Sequence, residues 1–180
     1  FHFITMENSN AQIFKVKNAG IVLTTPFLPM FFYRLGYLAD SRREFIDKEK
    51  QIRGIFLLQY LATYSLEVKD SELMLFKIML NYPLSDPLPC NIELTSKETS
   101  LIDELLNSLK INWSKMKNVS NRGFQETFLR REGVLEDMSD YWNLKMEEKP
   151  YDVLLDSVPW SYSMVKYPFQ EKLIRVNWRN

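Results

Sequence analysis

The stretch that decides the fold is Asn18–Leu38, NAGIVLTTPFLPMFFYRLGYL, the most apolar part of the chain. A membrane-spanning helix needs about 20 consecutive apolar residues. Here the apolar run contains Thr24, Thr25 and two prolines, and it ends at Arg34. The stretch therefore favours a buried or partner-facing segment over a membrane span.

Two prolines in this stretch predict a short helix from Pro26 to Leu35. Proline is tolerated in the first turn of a helix, because the N–H it lacks would have no partner there. Gly36 is a typical residue just after a helix end. Helical spacing places four side chains on one face, which is either the central core or a rigid docking surface: Phe27, Met30, Phe31 and Arg34.

Helical periodicity continues through the middle of the chain. It predicts a helix over Arg42–Ser65 with Glu44–Lys48 and Glu49–Arg53 pairs, and another over SELMLFKIMLNY that is capped by Asp70. Thr95 and Glu98 form a capping box. The apolar stripe after this box comprises Leu101, Ile102, Leu105, Leu106, Leu109, Trp113 and Met116. A shorter helix begins at Ser120 or Asn121.

After Glu132 the hydrophobic period changes from 3.6 to 2, which is typical of strands. GVLEDMSDYWNLKME predicts a hairpin, while SYSMVKY, LIRVNW and the earlier segment Gln12–Val16 predict further strands. YDVLLDSV predicts a short helix between them. The expected fold class is α+β, with a mainly helical body and a small antiparallel sheet toward the C-terminus.

The length of 180 residues suits one domain. We expect a leader over residues 1–11 that is disordered or was added during expression. A single globular domain would follow over residues 12–180, helical over 26–131 and β-rich over 132–178. Because Phe1 is not Met, we interpret the chain as a fragment or a processed product.

Composition argues against most enzyme classes. Lysine plus arginine and aspartate plus glutamate both number 23, so net charge predicts neither nucleic acid nor an anionic membrane as a partner. The only histidine is His2, which lies outside the expected fold, and the glycines stand alone. Catalytic triads, most zinc sites and phosphate-binding loops need such residues. We expect no catalytic, cofactor or metal site.

Residues with weaker chemical signals have ordinary structural interpretations. Carboxylates cluster in the hairpin (Glu132, Glu136, Asp137, Asp140) and after it (Glu147, Glu148, Asp152, Asp156). They are interpreted as solvated charges, although a metal site or a glycosidase pair stays open. Cys90 is expected to be an inert, partly buried thiol, and the four tryptophans are expected in the core. Arg130–Arg131 either binds an acidic partner or pairs with Glu126 or Glu132.

Several stretches together resemble the C-terminal region of the tape measure protein of contractile injection systems. They occur in the family's order over about Lys17 to Trp178. The stretches are NAGIVLTTPFLPMFFYRLGYL, LLQYLAT, YPLSDPLP, NWSKMKNVSNRGFQETFLRREGVL and YDVLLDSVPWSYSMVKYP. The sequence departs from the pattern at Thr24-Thr25, where a more apolar pair is expected.

The resemblance implies a structural role in a phage-tail-like particle with an inner tube, a contractile sheath, a baseplate with a spike, and a cap. A tape measure protein occupies the tube lumen during assembly and helps fix tube length. The chain would be the compact end that docks to the inner tube, the baseplate hub or spike, or the cap. It would be cytoplasmic during assembly and then lie within the tube or at its end. Particle symmetry suggests three or six copies, while the balanced charge also suits an isolated monomer.

Two other function classes stay open at this level: a particle-associated enzyme or effector, and a regulatory adaptor that binds a partner helix.

For docking, a segment stiffened by proline loses less entropy on binding than a flexible loop does. The predicted partner-binding residues are Pro26, Phe27, Leu28, Pro29, Met30, Phe31, Arg130 and Arg131.

Overall fold

The computed structural model describes residues 12–179. A mixed sheet packs against a helical layer, which confirms the α+β class. The strands are β1 (Ile13–Val16), β2 (Gly133–Asp137), β3 (Tyr141–Met146), β4 (Met164–Val165) and β5 (Leu173–Asn177). The α-helices are α1 (Leu28–Arg34), α2 (Lys48–Thr63), α3 (Met74–Met79), α4 (Ser96–Asn112) and α5 (Asn121–Phe124).

Shorter helical segments connect these elements. α5 runs directly into a π-helical turn at Gln125–Leu129. The segment Ala19–Phe27, called the 3₁₀ segment below, precedes α1. Further 3₁₀ turns lie at Asp70–Glu72, Ser114–Met116 and Pro150–Ser157.

The sheet has the strand order β1-β2-β3-β5-β4. The β2–β3 hairpin is confirmed, with Leu135 opposite Leu144. The expected antiparallel pairing is found for β1–β2, β2–β3 and β4–β5, but β3 and β5 are parallel, with Leu144 opposite Val176. The long connection over residues 147–172 returns the chain to the end where β3 began, as a parallel pair requires. Strand β1, near the N-terminal end of the chain, pairs with β2 and so joins the sheet. It lies outside the β-rich region predicted over residues 132–178.

The inward faces of the sheet and the helices form one apolar cluster. The capping box is confirmed: Thr95 Oγ1 accepts from the Glu98 N–H at 3.2 Å, and Glu98 Oε1 accepts from the Thr95 N–H at 2.8 Å. The stripe that follows it on α4 is buried. Trp113, Trp142 and Trp178 are buried as expected, whereas Trp160 is only half-buried.

Helix α2 begins later than predicted. Leu38 forms a β-bridge with Phe45, so the chain is extended where a first helical turn was expected. Asp47 then caps the helix by accepting from the Lys50 N–H at 2.8 Å. Consequently Glu44 lies outside the helix, and the predicted Glu44–Lys48 pair within one helix is wrong.

The prediction for Asp70 also fails, because it caps no α-helix. Asp70 lies inside the 3₁₀ turn before α3, and its carboxylate pairs with Lys77 Nζ at 3.0 Å. The predicted helix YDVLLDSV is the 3₁₀ turn Pro150–Ser157, and only two residues of SYSMVKY form a strand. Cys90 is exposed rather than partly buried.

The apolar stretch is helical over more of its length than predicted, but the helix changes from 3₁₀ to α near the centre of the stretch. Asn18 adopts a left-handed conformation, and the 3₁₀ segment begins at the next residue. Thr25 Oγ1 donates to the Val22 carbonyl at 2.7 Å. An α-helix would pair that carbonyl with the N–H of Pro26, which proline lacks. The threonine hydroxyl thus takes the place of a missing α-helical bond.

A candidate docking surface on helix α1

One groove lies between α1 and α4, and we call it the α1 groove. The sequence prediction that Phe27, Met30, Phe31 and Arg34 share a face is confirmed, since all four line this groove. One wall comprises Pro26 and Phe27 from the end of the 3₁₀ segment and Met30, Phe31 and Arg34 from α1, and the α4 wall comprises Leu101, Glu104, Leu105 and Ser108. The groove has a volume of about 200 Å³.

The local sequence explains why α1 is short and fixed. Pro29 occupies the first turn of the helix. Gly36 ends it with a φ of 76°, a left-handed conformation that glycine adopts without strain. The N–H of Tyr37 then donates to the Phe32 carbonyl at 3.0 Å, which closes the helix end. Proline at one end and glycine at the other therefore hold α1 to two turns.

Aromatic contacts fix the N-terminal end of the groove. The Phe27 ring meets the Trp160 ring edge to face, with 5.1 Å between centroids. Trp160 in turn donates from Nε1 to the Leu23 carbonyl at 2.8 Å. The other end carries an exposed ion pair, in which Arg34 Nη2 lies 3.4 Å from Glu104 Oε1. The groove therefore has an apolar floor and a charge-neutral rim.

The predicted docking residues of the stretch divide into two groups. Leu28 and Phe31 are buried in the core. Pro26 is exposed, and Phe27 and Pro29 are half-buried. Met30 is 51% exposed. The second group is accessible at the surface, whereas Phe31 can be reached only from within the α1 groove, which it lines.

The two predicted arginines also separate. Arg130 is exposed, whereas Arg131 is 1% exposed and its guanidinium forms a bidentate pair with Asp152. Arg131 also donates to the carbonyls of Thr127 at 3.0 Å and Glu147 at 3.1 Å. The local pairs considered from the sequence, with Glu126 or Glu132, are not the ones that form. Arg131 is thus a core residue of this chain.

Asp152 is buried. The interpretation of the clustered carboxylates as solvated charges is therefore wrong for this residue. Its side chain accepts hydrogen bonds from Arg131 Nη1 at 2.9 Å and from Trp178 Nε1 at 3.2 Å. Burial opposes ionisation, but the hydrogen bonds from Arg131 and from the Lys149 N–H lower the pKa of Asp152. The buried pair therefore joins the end of the π-helical turn to the C-terminal strand region.

A second buried polar cluster was missed by the sequence analysis. Arg53 donates to Glu98 from Nε at 2.8 Å and from Nη2 at 2.5 Å, and the Tyr37 hydroxyl donates to the same carboxylate. Burial alone would raise the pKa of Glu98, but these hydrogen bonds lower it to about 2. The capping box could have predicted this cluster. A glutamate that caps a helix on its buried face needs a cation as a partner.

Other places that could bind a ligand have ordinary structural roles. A cleft of about 540 Å³ lies beside Trp142, with Lys77 and Lys172 in its wall. Lys77 Nζ donates to the Leu84 and Asp86 carbonyls at 3.2 and 2.8 Å, and Lys172 Nζ lies 2.5 Å from Asp137. Both cations are therefore already neutralised or bonded within the fold.

Residues 12–179 show neither a metal-ligating cluster nor a membrane-spanning helix. That part of the chain contains no group of three or more His, Cys, Asp or Glu side chains placed to hold a metal ion. Nor does it contain a helix whose length and apolar character would let it cross a membrane.

Comparison with known proteins gives one match. A family model described as contractile injection system tape measure protein matches residues 5–178, nearly the whole chain. No curated protein and no solved structure matches it. The matched range includes the α1 groove, both buried ion-pair clusters and every strand of the sheet.

Proposed function

Because the chain belongs to the contractile injection system tape measure protein family, we propose that it is a structural assembly domain that docks to one end of the inner tube. Membership associates the chain with a contractile injection particle and with a family of structural proteins. In this proposal the domain binds the inner tube, the baseplate hub or spike, or the cap, and it helps to set tube length without a catalytic step.

The α1 groove is the observation that carries the docking part of the proposal. Small-molecule pockets usually enclose about 300–1,000 Å³, so a groove of about 200 Å³ suits a protruding side chain better than a cofactor. Its floor is apolar, and the charges of Arg34 and Glu104 at its rim cancel. The occupant we propose is therefore one aliphatic or aromatic side chain of a particle component.

The stiffness of the segment supports the same role. Pro26 and Pro29 fix two backbone φ angles, and the Phe27–Trp160 contact holds the groove open at one end. A preorganised surface loses less conformational entropy on binding than a mobile loop. The groove can thus contribute affinity although its contact area is small.

Substitution of Met30 by a charged residue tests this proposal. Met30→Glu places a carboxylate in the mouth of the groove, where an apolar partner side chain would leave it unpaired. Val153→Glu is the matched control, because Val153 is 59% exposed and lies on the 3₁₀ turn Pro150–Ser157, away from the groove lining. Both variants should fold, which thermal unfolding checks.

We expect the Met30→Glu variant to give few particles, or particles of irregular tube length, when it replaces the natural chain in a producing cell. The Val153→Glu variant should give particles of normal number and length in negative-stain electron microscopy. Normal particles from a folded Met30→Glu variant would contradict docking through the α1 groove.

A further inference from the structure

Positive charge is concentrated at and just after the C-terminal end of α4, in a chain whose charges balance overall. Residues 105–125 contain no aspartate or glutamate. The basic residues of this range are Lys110, Lys115, Lys117 and Arg122. We call the segment 110–122 the cationic turn. The sequence analysis overlooked it because only the total charge, not its distribution, was considered.

Backbone and side-chain hydrogen bonds hold the cationic turn in one shape. Lys110 Nζ donates to the Val119 carbonyl at 3.0 Å, which ties the end of α4 to the residues before α5. The Val119 N–H donates to the Met116 carbonyl at 3.0 Å. Ser120 then caps α5 by accepting from the Gly123 N–H at 3.0 Å. The turn is therefore a preorganised surface.

The charges of this turn are not neutralised within the fold. Lys115 and Lys117 are exposed, and among the described residues neither they nor Arg122 has a carboxylate within ion-pair distance. Arg122 lies over the Tyr64 ring, 5.7 Å from its centroid. The carboxylate of Asp103 accepts a hydrogen bond from the Tyr64 hydroxyl at 2.7 Å.

The cationic turn also contains an exposed apolar side chain. Ile111, which follows Lys110, is 75% exposed, the most of any large apolar residue described. It lies one helical turn after Ser108, which lines the α1 groove. The groove and Ile111 therefore lie along the same helix, α4.

We infer that the cationic turn binds an acidic segment of a protein partner, with Ile111 as the apolar anchor. Charge complementarity favours an acidic occupant, because the unneutralised lysines would attract it and would repel a basic one. A single-stranded nucleic acid is disfavoured, because stacking platforms need exposed aromatic rings and Trp113 is buried. A membrane is disfavoured because, among the described residues, Ile111 is the one exposed large apolar side chain of the cationic turn.

This inference rests on the proposed function only in taking the partner to be a particle component. Its test needs no particle and uses the purified chain. The probe is a fluorescein-labelled oligoglutamate peptide with a central leucine, and binding is followed by fluorescence anisotropy. The double variant Lys115→Glu/Lys117→Glu reverses the charge of the turn. The control Lys15→Glu/Lys145→Glu makes the same charge change at two exposed lysines of the sheet.

We expect the variant of the turn to weaken peptide binding by about tenfold and the control to change it less than about twofold. The Ile111→Ser variant should remove the preference for the leucine peptide over the same peptide with alanine. Equal losses in both double variants, or no loss in either, would overturn the inference. Tighter binding to an oligothymidylate or to phosphatidylserine vesicles than to the peptide would also overturn it.

Discussion

The two halves of the stretch Asn18–Leu38 have similar composition but opposite surroundings. In the 3₁₀ segment, Ala19 to Leu23 is completely buried, and its backbone lies against the backbone of the π-helical turn. In α1, by contrast, Met30 and Tyr33 face solvent beside buried Phe32. Apolar composition therefore identifies a segment near the core, but packing decides which side chains a partner can reach.

The difference arises from backbone contact in the first half. The Ala19 N–H donates to the Arg131 carbonyl at 2.8 Å. A Cβ on Gly20 would lie only 1.8 Å from the Phe128 carbonyl oxygen. Such closeness leaves no room for a partner, whereas α1 has only side-chain contacts on one face and a groove on the other. We therefore assign stability to the first half and propose docking for the second.

The largest effect should come from Gly20→Ala. Because the methyl group would overlap the Phe128 carbonyl, we expect the free energy of unfolding to fall by more than about 4 kcal/mol. Gly36→Ala is the control: its left-handed φ is strained for alanine, but nothing lies within 4 Å of the added carbon, so the loss should be about 1 kcal/mol. Urea unfolding measures both, and equal losses would refute the backbone contact.

Asp152→Asn should have the next largest effect, because it leaves Arg131 buried without a negative partner. Removing one member of a buried ion pair costs about 3–5 kcal/mol, and here it would also loosen the residue that accepts from Ala19. Asp156→Asn tests an exposed pair of the same type, with Arg179 at 2.7 Å, and should lower stability far less, because water screens an exposed pair. Similar losses in urea unfolding would show that Arg131 is not essential to the buried half.

Much of the fold was predictable from local signals. The capping box of α4, the hairpin and the proline-started helix each depend on residues close together in sequence. The parallel pairing of β5 with β3 was not predictable in this way, because it depends on the path of a long connection. The same limit applies to Arg131, whose partner Asp152 lies beyond the hairpin.

The candidate site was only partly predictable for a related reason. Helical spacing identified the face that contains Phe27 and Met30, because spacing is a local property. It could not show that Phe31 packs inward against Phe32, with 5.2 Å between ring centroids, since burial depends on α4. The lack of acidic residues over 105–125 is visible in the sequence. Net charge counted over a short sequence window would have identified the cationic turn.

Acid should weaken the C-terminal end of the stretch, where Tyr37 meets Glu98. The pKa of Glu98 is about 2 in the folded chain, against an ordinary 4.5. The unfolded chain therefore binds more protons between these values, so the stabilisation is present above about pH 4.5 and is lost as the pH falls toward 2. Its full size is on the order of 3 kcal/mol.

Chemical unfolding at a series of pH values checks this prediction. The Glu98→Gln variant should be less stable near neutral pH and should lose less stability than the natural chain as the pH falls below about 4.5. An identical acid dependence in both proteins would show that Glu98 does not hold its charge in the fold.

The smallest effect on stability should come from Met30→Ala. Truncation of a half-exposed side chain on α1 should change the free energy of unfolding by less than about 0.5 kcal/mol. Leu23→Ala, in the buried half, should cost about 3 kcal/mol. A large loss from Met30→Ala would place this side chain among the residues that hold the fold together and would remove the contrast between the halves.

Cross-linking inside assembled particles tests the docking claim most directly. A photoreactive p-benzoylphenylalanine is introduced at position 30, or at position 153 as the control, and the cross-linked peptides are identified by mass spectrometry. We predict that position 30 cross-links to an inner-tube, baseplate hub or spike, or cap protein and that position 153 does not. Particles of normal length in which position 30 cross-links to no particle component would contradict the account.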